Sequence, residues 1–245
     1  DGNYSLNVSQ PGEYKVIFQF LGYKTLTKTI APSTFPFILN ISLEEETTSL
    51  DEVVVNTSED PAYRIIRKTI AQRKENLEKL SEYTADFYSR GLWKVKNVPE
   101  KIMGQEVGDF DGMLDSTRTG IIYLSETISE IAYQKPDKFT EKIALNYYNY
   151  KLDGVFYEGP KLINKIKVIP KRPNDRVWQG YVYIVEDDWQ LYGVELSTTG
   201  AAIQVPFVSN LMVKQNYKYD SDYDFWVKIS QSVDFGFGFL GMEGD

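Results

Sequence analysis

A two-residue rhythm constrains this chain more than any other feature. Tyr14, Val16, Phe18 and Phe20 alternate with Lys15, Ile17 and Gln19. Leu39, Ile41 and Leu43 alternate with Asn40, Ser42 and Glu44, and Tyr83, Ala85, Phe87, Trp93 and Val95 share one parity. Successive side chains of a strand point to opposite faces, so this period predicts strands with one face on a core. Further runs rich in branched and aromatic residues cover Ile121–Tyr133, Leu162–Pro170, Arg176–Val185, Leu191–Ser197, Asn210–Tyr219 and Phe225–Phe235. Turn residues separate them at Asp153-Gly154, Gly159-Pro160, Pro173-Asn174-Asp175, Asp187-Asp188 and Thr199-Gly200. Aromatic side chains make up 14% of the chain and pack well on a pleated, half-buried surface.

One segment follows a different period. Ala62, Ile65, Ile66, Ile70, Leu77 and Leu80 fall on a helical stripe, with Arg64, Arg67, Lys68 and Lys74 mainly off it. Asp60 is placed to cap this helix, and Pro61 suits its first position because its missing N–H would be unpaired there. Many strands, one helix and no βαβ rhythm predict a mainly β chain. Residues 1–55 read as part of a small β-sandwich and 56–60 as a polar linker. The remainder of 56–235 reads as a helix plus a curved antiparallel sheet or open barrel.

Charge and missing residue types narrow the chemistry. A formal net charge of −8 and a pI near 4.8 repel a phosphate backbone, so nucleic acid is not an expected partner. The chain has no Cys and no His. That removes thiol nucleophiles, Ser-His-Asp chemistry, His-bearing zinc sites and HExxH proteases. Neither a cofactor nor a metal site is expected, and the chain reads as non-enzymatic. No apolar run is long enough for a membrane-spanning helix. The start at Asp1-Gly2-Asn3-Tyr4 reads as a piece of a larger protein.

Asp1–Leu6 (DGNYSL), Gly12-Glu13-Tyr14, Phe20–Thr25 (FLGYKT), Ile41-Ser42-Leu43 and Leu50–Val55 (LDEVVV) together resemble the carboxypeptidase-regulatory-like domain. The resemblance implies a transthyretin-like or immunoglobulin-like β-sandwich, here partial because the family's earliest strands are lacking. Asp60–Ile66, Tyr83–Arg90, Ile121–Glu126, Ile163–Lys171 and Gly180–Tyr192 resemble Bacteroidetes proteins that join such a domain to an outer-membrane domain of unknown function. The resemblance implies a periplasmic segment that precedes an outer-membrane β-barrel. Phe235–Gly241, alternating Phe with Gly, then reads as a hinge, and 236–245 as the way into that barrel. The family also implies a longer insert where Pro136–Ile143 and Tyr147–Gly154 nearly abut at Ile143-Ala144. The Val/Tyr-rich run ending in Asp187-Asp188-Trp189 is similar to the half-barrel of LolA-type lipoprotein carriers.

Several clusters invite chemistry and carry plainer readings. Asp109, Asp111 and Asp115 alternate like oxygen ligands for Ca²⁺, but EF-hand spacing is not met, and a solvated acidic loop is preferred. Asp220, Asp222 and Asp224 read as a hairpin tip with Asx turns. Glu126 with Glu130, or Asp187 with Asp188, are paired carboxylates that acid–base work would use only in a pocket separating their pKa values. Asp115-Ser116-Thr117 matches a short O-glycosylation pattern at Ser116. Phe87, Trp93, Tyr123, Tyr181, Tyr183 and Trp189, together with Tyr192, Trp226 and Phe235, are candidates to line an apolar cavity for an acyl chain, against the preferred reading as ordinary core.

The expected function is a non-enzymatic interaction module at the periplasmic face of the outer membrane. It would dock other outer-membrane or periplasmic proteins in an export, uptake or barrel-assembly complex. Its expected partner-strand edge is Leu50, Asp51, Glu52, Val53, Val54 and Val55. The alternative is a lipid or lipoprotein acyl-chain carrier or sensor. A carboxylate-only hydrolase would need two carboxylates about 5–10 Å apart in a cleft.

Overall fold

The computed structural model describes residues 4, 6, 8, 10–18, 23–44, 59–79, 82–134, 144–173, 175–205, 207–222, 224–239 and 242–244. Strand accounts for 55% of the structure and helix for 13%. The mainly β expectation is met.

Strands β1 (Tyr14–Phe18) and β2 (Leu26–Ile30) pair antiparallel, with Tyr14 opposite Ile30. Leu39 to Leu43, expected as a strand, has no regular structure. Alternation supplies a face but not a strand partner, and two bonds from earlier in the chain tie this segment down. Lys24 N donates to Glu44 O at 2.9 Å, and the Tyr4 hydroxyl donates to the Leu39 carbonyl. Leu50–Val55, the expected docking edge, and the junction at Ile143 lie outside the described residues.

Helix α1 (Pro61–Lys79) opens as its sequence predicts. The Asp60 carboxylate accepts from Ala62 N at 2.9 Å and also from Leu152 N at 2.9 Å, so the cap fastens the helix to the sheet. The long strands are β3 (Glu82–Lys96), β6 (Gly120–Gln134), β7 (Tyr148–Glu158), β8 (Lys161–Pro170), β9 (Gln179–Val185), β10 (Leu191–Thr199), β11 (Val208–Asp220) and β12 (Phe225–Phe239). Short elements are β4 (Lys101–Ile102), β5 (Gln105–Glu106), α2 (Ala144–Tyr147), α3 (Gly200–Ile203) and β13 (Met242–Gly244).

One antiparallel sheet of nine strands runs in the order β6-β3-β13-β12-β11-β10-β9-β8-β7. Strands β7 to β12 form a continuous meander. The three-residue β13 joins it to the β3–β6 pair through Glu243 opposite Lys96 and Gly244 opposite Val95. Residues 236–239 and 242–244, expected as a hinge, are therefore strand. Glycine at 244 is explained by close approach: a Cβ there would meet the Phe237 ring at 2.2 Å and Lys94 O at 2.7 Å. Asp153-Gly154, expected as a turn, is instead a bulge inside β7. Leu152 faces Ile166 and Gly154 faces Lys165, so Asp153 is the extra residue. Thr199-Gly200 likewise opens α3, with the Thr199 hydroxyl accepting from Ala202 N at 3.2 Å.

The central strands are buried on both faces. On one face Ile166, Val168, Ile184 and Tyr150 pack under Ala62, Ile65 and Ile66 of α1. On the other, Ile163, Tyr183 and Val185 meet Tyr192 and Trp226. The bulge at Asp153 moves Phe156 onto this second face, where its ring lies 6.2 Å from Tyr183 and 5.6 Å from Tyr192. Tyr192 continues the row to Trp226 at 5.7 Å, and Trp226 to Tyr219 at 5.8 Å. Edge-on contacts of this kind suit the ring quadrupoles and add to plain burial.

Candidate functional site

Six of the aromatic residues expected to line one cavity lie on three separate surfaces. Tyr183 is core, 4% exposed, and Tyr181 packs beside it with the Lys165 ammonium 4.4 Å from its ring centre. Trp189 packs on the opposite face against the α1 cluster, under the Arg64 guanidinium at 5.5 Å. Phe87, Trp93 and Tyr123 stand on β3 and β6 and are exposed. Parity alone missed this because it assigns residues to faces without saying what covers each face.

The β3–β6 pair is open on both sides, and each face carries exposed apolar side chains among polar ones. Tyr88 stands opposite Ile128 and Leu92 opposite Leu124 on one face, with Ile128 80% exposed. Trp93 stands opposite Tyr123 on the other, their rings 5.8 Å apart, and Trp93 also meets Phe235 at 5.9 Å. The outer edge of β6 has no strand partner among the described residues. Arg90 lies 3.8 Å from Glu126, but Asp86 stands directly opposite Glu130, a like-charge pair across the ladder.

A cavity of about 250 Å³ lies between the β1–β2 hairpin and the sheet. Ile17 and Thr25 form its hairpin wall, and Tyr192, Tyr217, Tyr219 and Trp226 its sheet wall. Glu158, Pro160, Lys161 and Lys218 complete the lining. The β9–β10 turn positions Asp188 to organise the charged side. Its carboxylate accepts from Lys161 Nζ at 2.7 Å and from the Trp226 indole N–H at 3.0 Å. Gln190 Oε1 takes Trp226 N at 3.1 Å. The Tyr219 hydroxyl donates to Asp224 Oδ1 at 2.7 Å, which raises the Tyr219 pKa and, with Lys79 nearby, lowers that of Asp224. Burial raises Tyr217. The sequence singled out Tyr192 and Trp226 among its strand aromatics but not their partners, because the walls meet only when the hairpin docks on the sheet.

Asp115 and Asp220 are hydrogen-bonded within their own loops. Asp115 accepts from Thr117 N at 2.8 Å, Thr117 Oγ1 at 2.6 Å and Thr119 N at 3.0 Å, and these bonds hold its pKa below the usual range. Ser116 is exposed beside it. Asp222 N donates to Asp220 Oδ1 at 2.9 Å, an Asx turn at the hairpin tip. Among the described residues no group of three or more acidic side chains is arranged to hold a metal ion.

A family described as a family of unknown function (DUF5686) matches residues 65–144 and 141–245. The two stretches overlap at residues 141–144. A CarboxypepD_reg-like domain matches residues 1–55, and that domain is a non-catalytic module. No curated protein and no solved structure matches the chain.

Proposed function

The chain belongs to this family of unknown function and carries a CarboxypepD_reg-like domain at its N-terminal end; from that premise we propose that it is a non-enzymatic docking module for other envelope proteins. The observation that carries the reading is the β3–β6 pair. A strand pair with exposed rings and aliphatic groups on both faces, and a long edge whose outer side pairs with none of the described strands, is suited to receive another chain. The resemblance to Bacteroidetes outer-membrane proteins supports placing the module at the periplasmic face of the outer membrane, joined to a barrel. Partners there would be outer-membrane or periplasmic proteins in an export, uptake or barrel-assembly complex. Of the nine aromatic residues expected to form the cavity of the acyl-carrier alternative, Tyr192 and Trp226 line the one under the hairpin and the other seven do not.

The test is a photo-crosslinking residue placed at Ile128 of the full-length protein in cells, with Met103, 87% exposed on the β4–β5 turn, as the control position. The reading expects a discrete adduct with another envelope protein from position 128 and none from 103. No adduct at 128, or the same adducts at both positions, refutes it.

A further inference from the structure

Charge along the β3–β6 pair is confined to one face. Glu82, Asp86 and Arg90 of β3 and Glu126 and Glu130 of β6 share a parity with Tyr88, Leu92, Leu124 and Ile128. The other parity, from Tyr83 to Trp93 and from Tyr123 to Tyr133, carries no charged residue. Resting on the docking reading above, we propose that the outer edge of β6 receives an extended segment of a partner protein in which cationic and aliphatic residues alternate on one face.

The ladder sets that pattern. Asp86 stands opposite Glu130, both exposed and neither with an ion-pair partner among the described residues. Arg90 is already drawn to Glu126, at 3.8 Å. This face therefore holds four carboxylates against one guanidinium. Between the charges, Tyr88 opposes Ile128, and beyond them Leu92 opposes Leu124, all four exposed. A strand added at the edge lies about 5 Å from β6 and about 10 Å from β3. A cation opposite Glu130 then offsets the repulsion between Glu130 and Asp86. Aliphatic residues opposite Ile128 and Leu124 cover side chains that otherwise face water.

The same charges turn away a second copy. Two β6 edges paired antiparallel about Ile128 set Glu126 against Glu130, and paired about Glu126 they set that residue against itself. Paired about Thr127, they set Glu126 against Ile128 and Glu130 against Leu124. Like charges directly across a ladder are destabilising, and charges on an edge guard against self-pairing. An acidic partner strand meets the same repulsion. A basic amphipathic strand is what remains complementary: its backbone supplies hydrogen bonds to the edge, and its alternate side chains supply selectivity.

The experiment uses the full-length protein and a labelled peptide, Lys-Thr-Val-Thr-Lys-Thr-Val-Thr-Lys, whose symmetric order presents the pattern in either strand direction. A second peptide has Glu for each Lys. Each directly opposed ion pair is worth up to about fivefold, so anisotropy should show the Lys peptide binding at least about tenfold more tightly. Glu130→Lys relieves the repulsion with Asp86 and so keeps the fold; it should weaken the Lys peptide about tenfold and strengthen the Glu peptide. Glu75→Lys makes the same charge change at an exposed position of α1 and should leave both affinities within about twofold. Methylating the amide nitrogens of alternate peptide residues should abolish binding for one parity and spare it for the other, since one side of an added strand pairs with the edge. Equal binding of the two peptides, no response to Glu130→Lys, or binding that survives methylation of either parity overturns the proposal.

In cells, the adduct from a photo-crosslinker at Ile128 should be lost on Glu130→Lys. An adduct that persists overturns the basic strand while docking at this edge stands. No adduct in the parent refutes docking itself and this inference with it. An adduct between two copies of the chain assigns the edge to self-association and also overturns the proposal.

Discussion

Removing Ile163 and Ile166 separately tests whether the sheet is covered on both faces. Both side chains are 0% exposed, yet they point to opposite faces of β8, Ile166 into the α1 cluster and Ile163 into the aromatic row. Replacing either by Ala deletes three carbons, about 2.4 kcal/mol at about 0.8 kcal/mol per buried carbon. Incomplete collapse of the space left behind adds about 1 kcal/mol for every ~40 Å³ that stays empty. Each variant should therefore lose about 3–4 kcal/mol. The side chains share no neighbouring cluster, so the double variant should lose the sum to within about 0.5 kcal/mol. Urea unfolding reads this as a midpoint shift of more than about 1 M per substitution at unchanged slope. Ile128→Ala, on the exposed β6 edge, should stay within about 0.5 kcal/mol of the parent. If either core variant costs less than about 1 kcal/mol, that face is open to water and the two-sided packing is refuted.

Three further outcomes follow from single contacts. Asp188→Ala strips the ion pair from Lys161 and the acceptor from the Trp226 indole, and should cost about 1–3 kcal/mol with a red-shifted Trp226 emission; unchanged emission contradicts the assignment. Burial pushes the Tyr150 pKa up to about 12, above its value in the unfolded chain. The protonated form is thus favoured by folding, so this contribution is complete below about pH 10 and is lost as pH climbs towards 12, about 2 kcal/mol in all. Tyr150→Phe should flatten the alkaline part of the stability curve by that amount, and an unaltered curve speaks against it. Arg118 donates to the carbonyls of Val98 at 2.7 Å, Val107 at 2.8 Å and Gly108 at 3.1 Å, gathering the long β3–β6 connection. Arg118→Met should speed hydrogen exchange and proteolysis between 97 and 119 while global stability falls by less than about 1 kcal/mol; equal protection in both proteins would exclude this role.

The parts legible in the sequence are those decided by neighbours along the chain. Period-two runs located β6 and β8 to β12 to within a few residues, and the Asp60-Pro61 start with its apolar stripe located α1. Asx geometry at Asp220 and the two-residue turn at Gly159-Pro160 were likewise local. Gly154 shows the limit. A bulge and a turn draw on the same residues, and only pairing with β8 tells them apart.

What remained was settled by contacts between distant segments. The same alternation that buries Tyr183 leaves Trp93 and Tyr123 in the open, because α1 and the aromatic row cover β7 to β10 but not β3 and β6. The short strand β13 converts a Gly-rich stretch into the link between two halves of the sheet, through pairings some 150 residues apart in sequence. The cavity at Trp226 exists only because the hairpin at Ile17 closes over it. Sequence by itself determined which residues could face a core, since side-chain direction in a strand is a local property. Tertiary structure decided which of those faces were covered, since coverage depends on which distant segment arrives to exclude water.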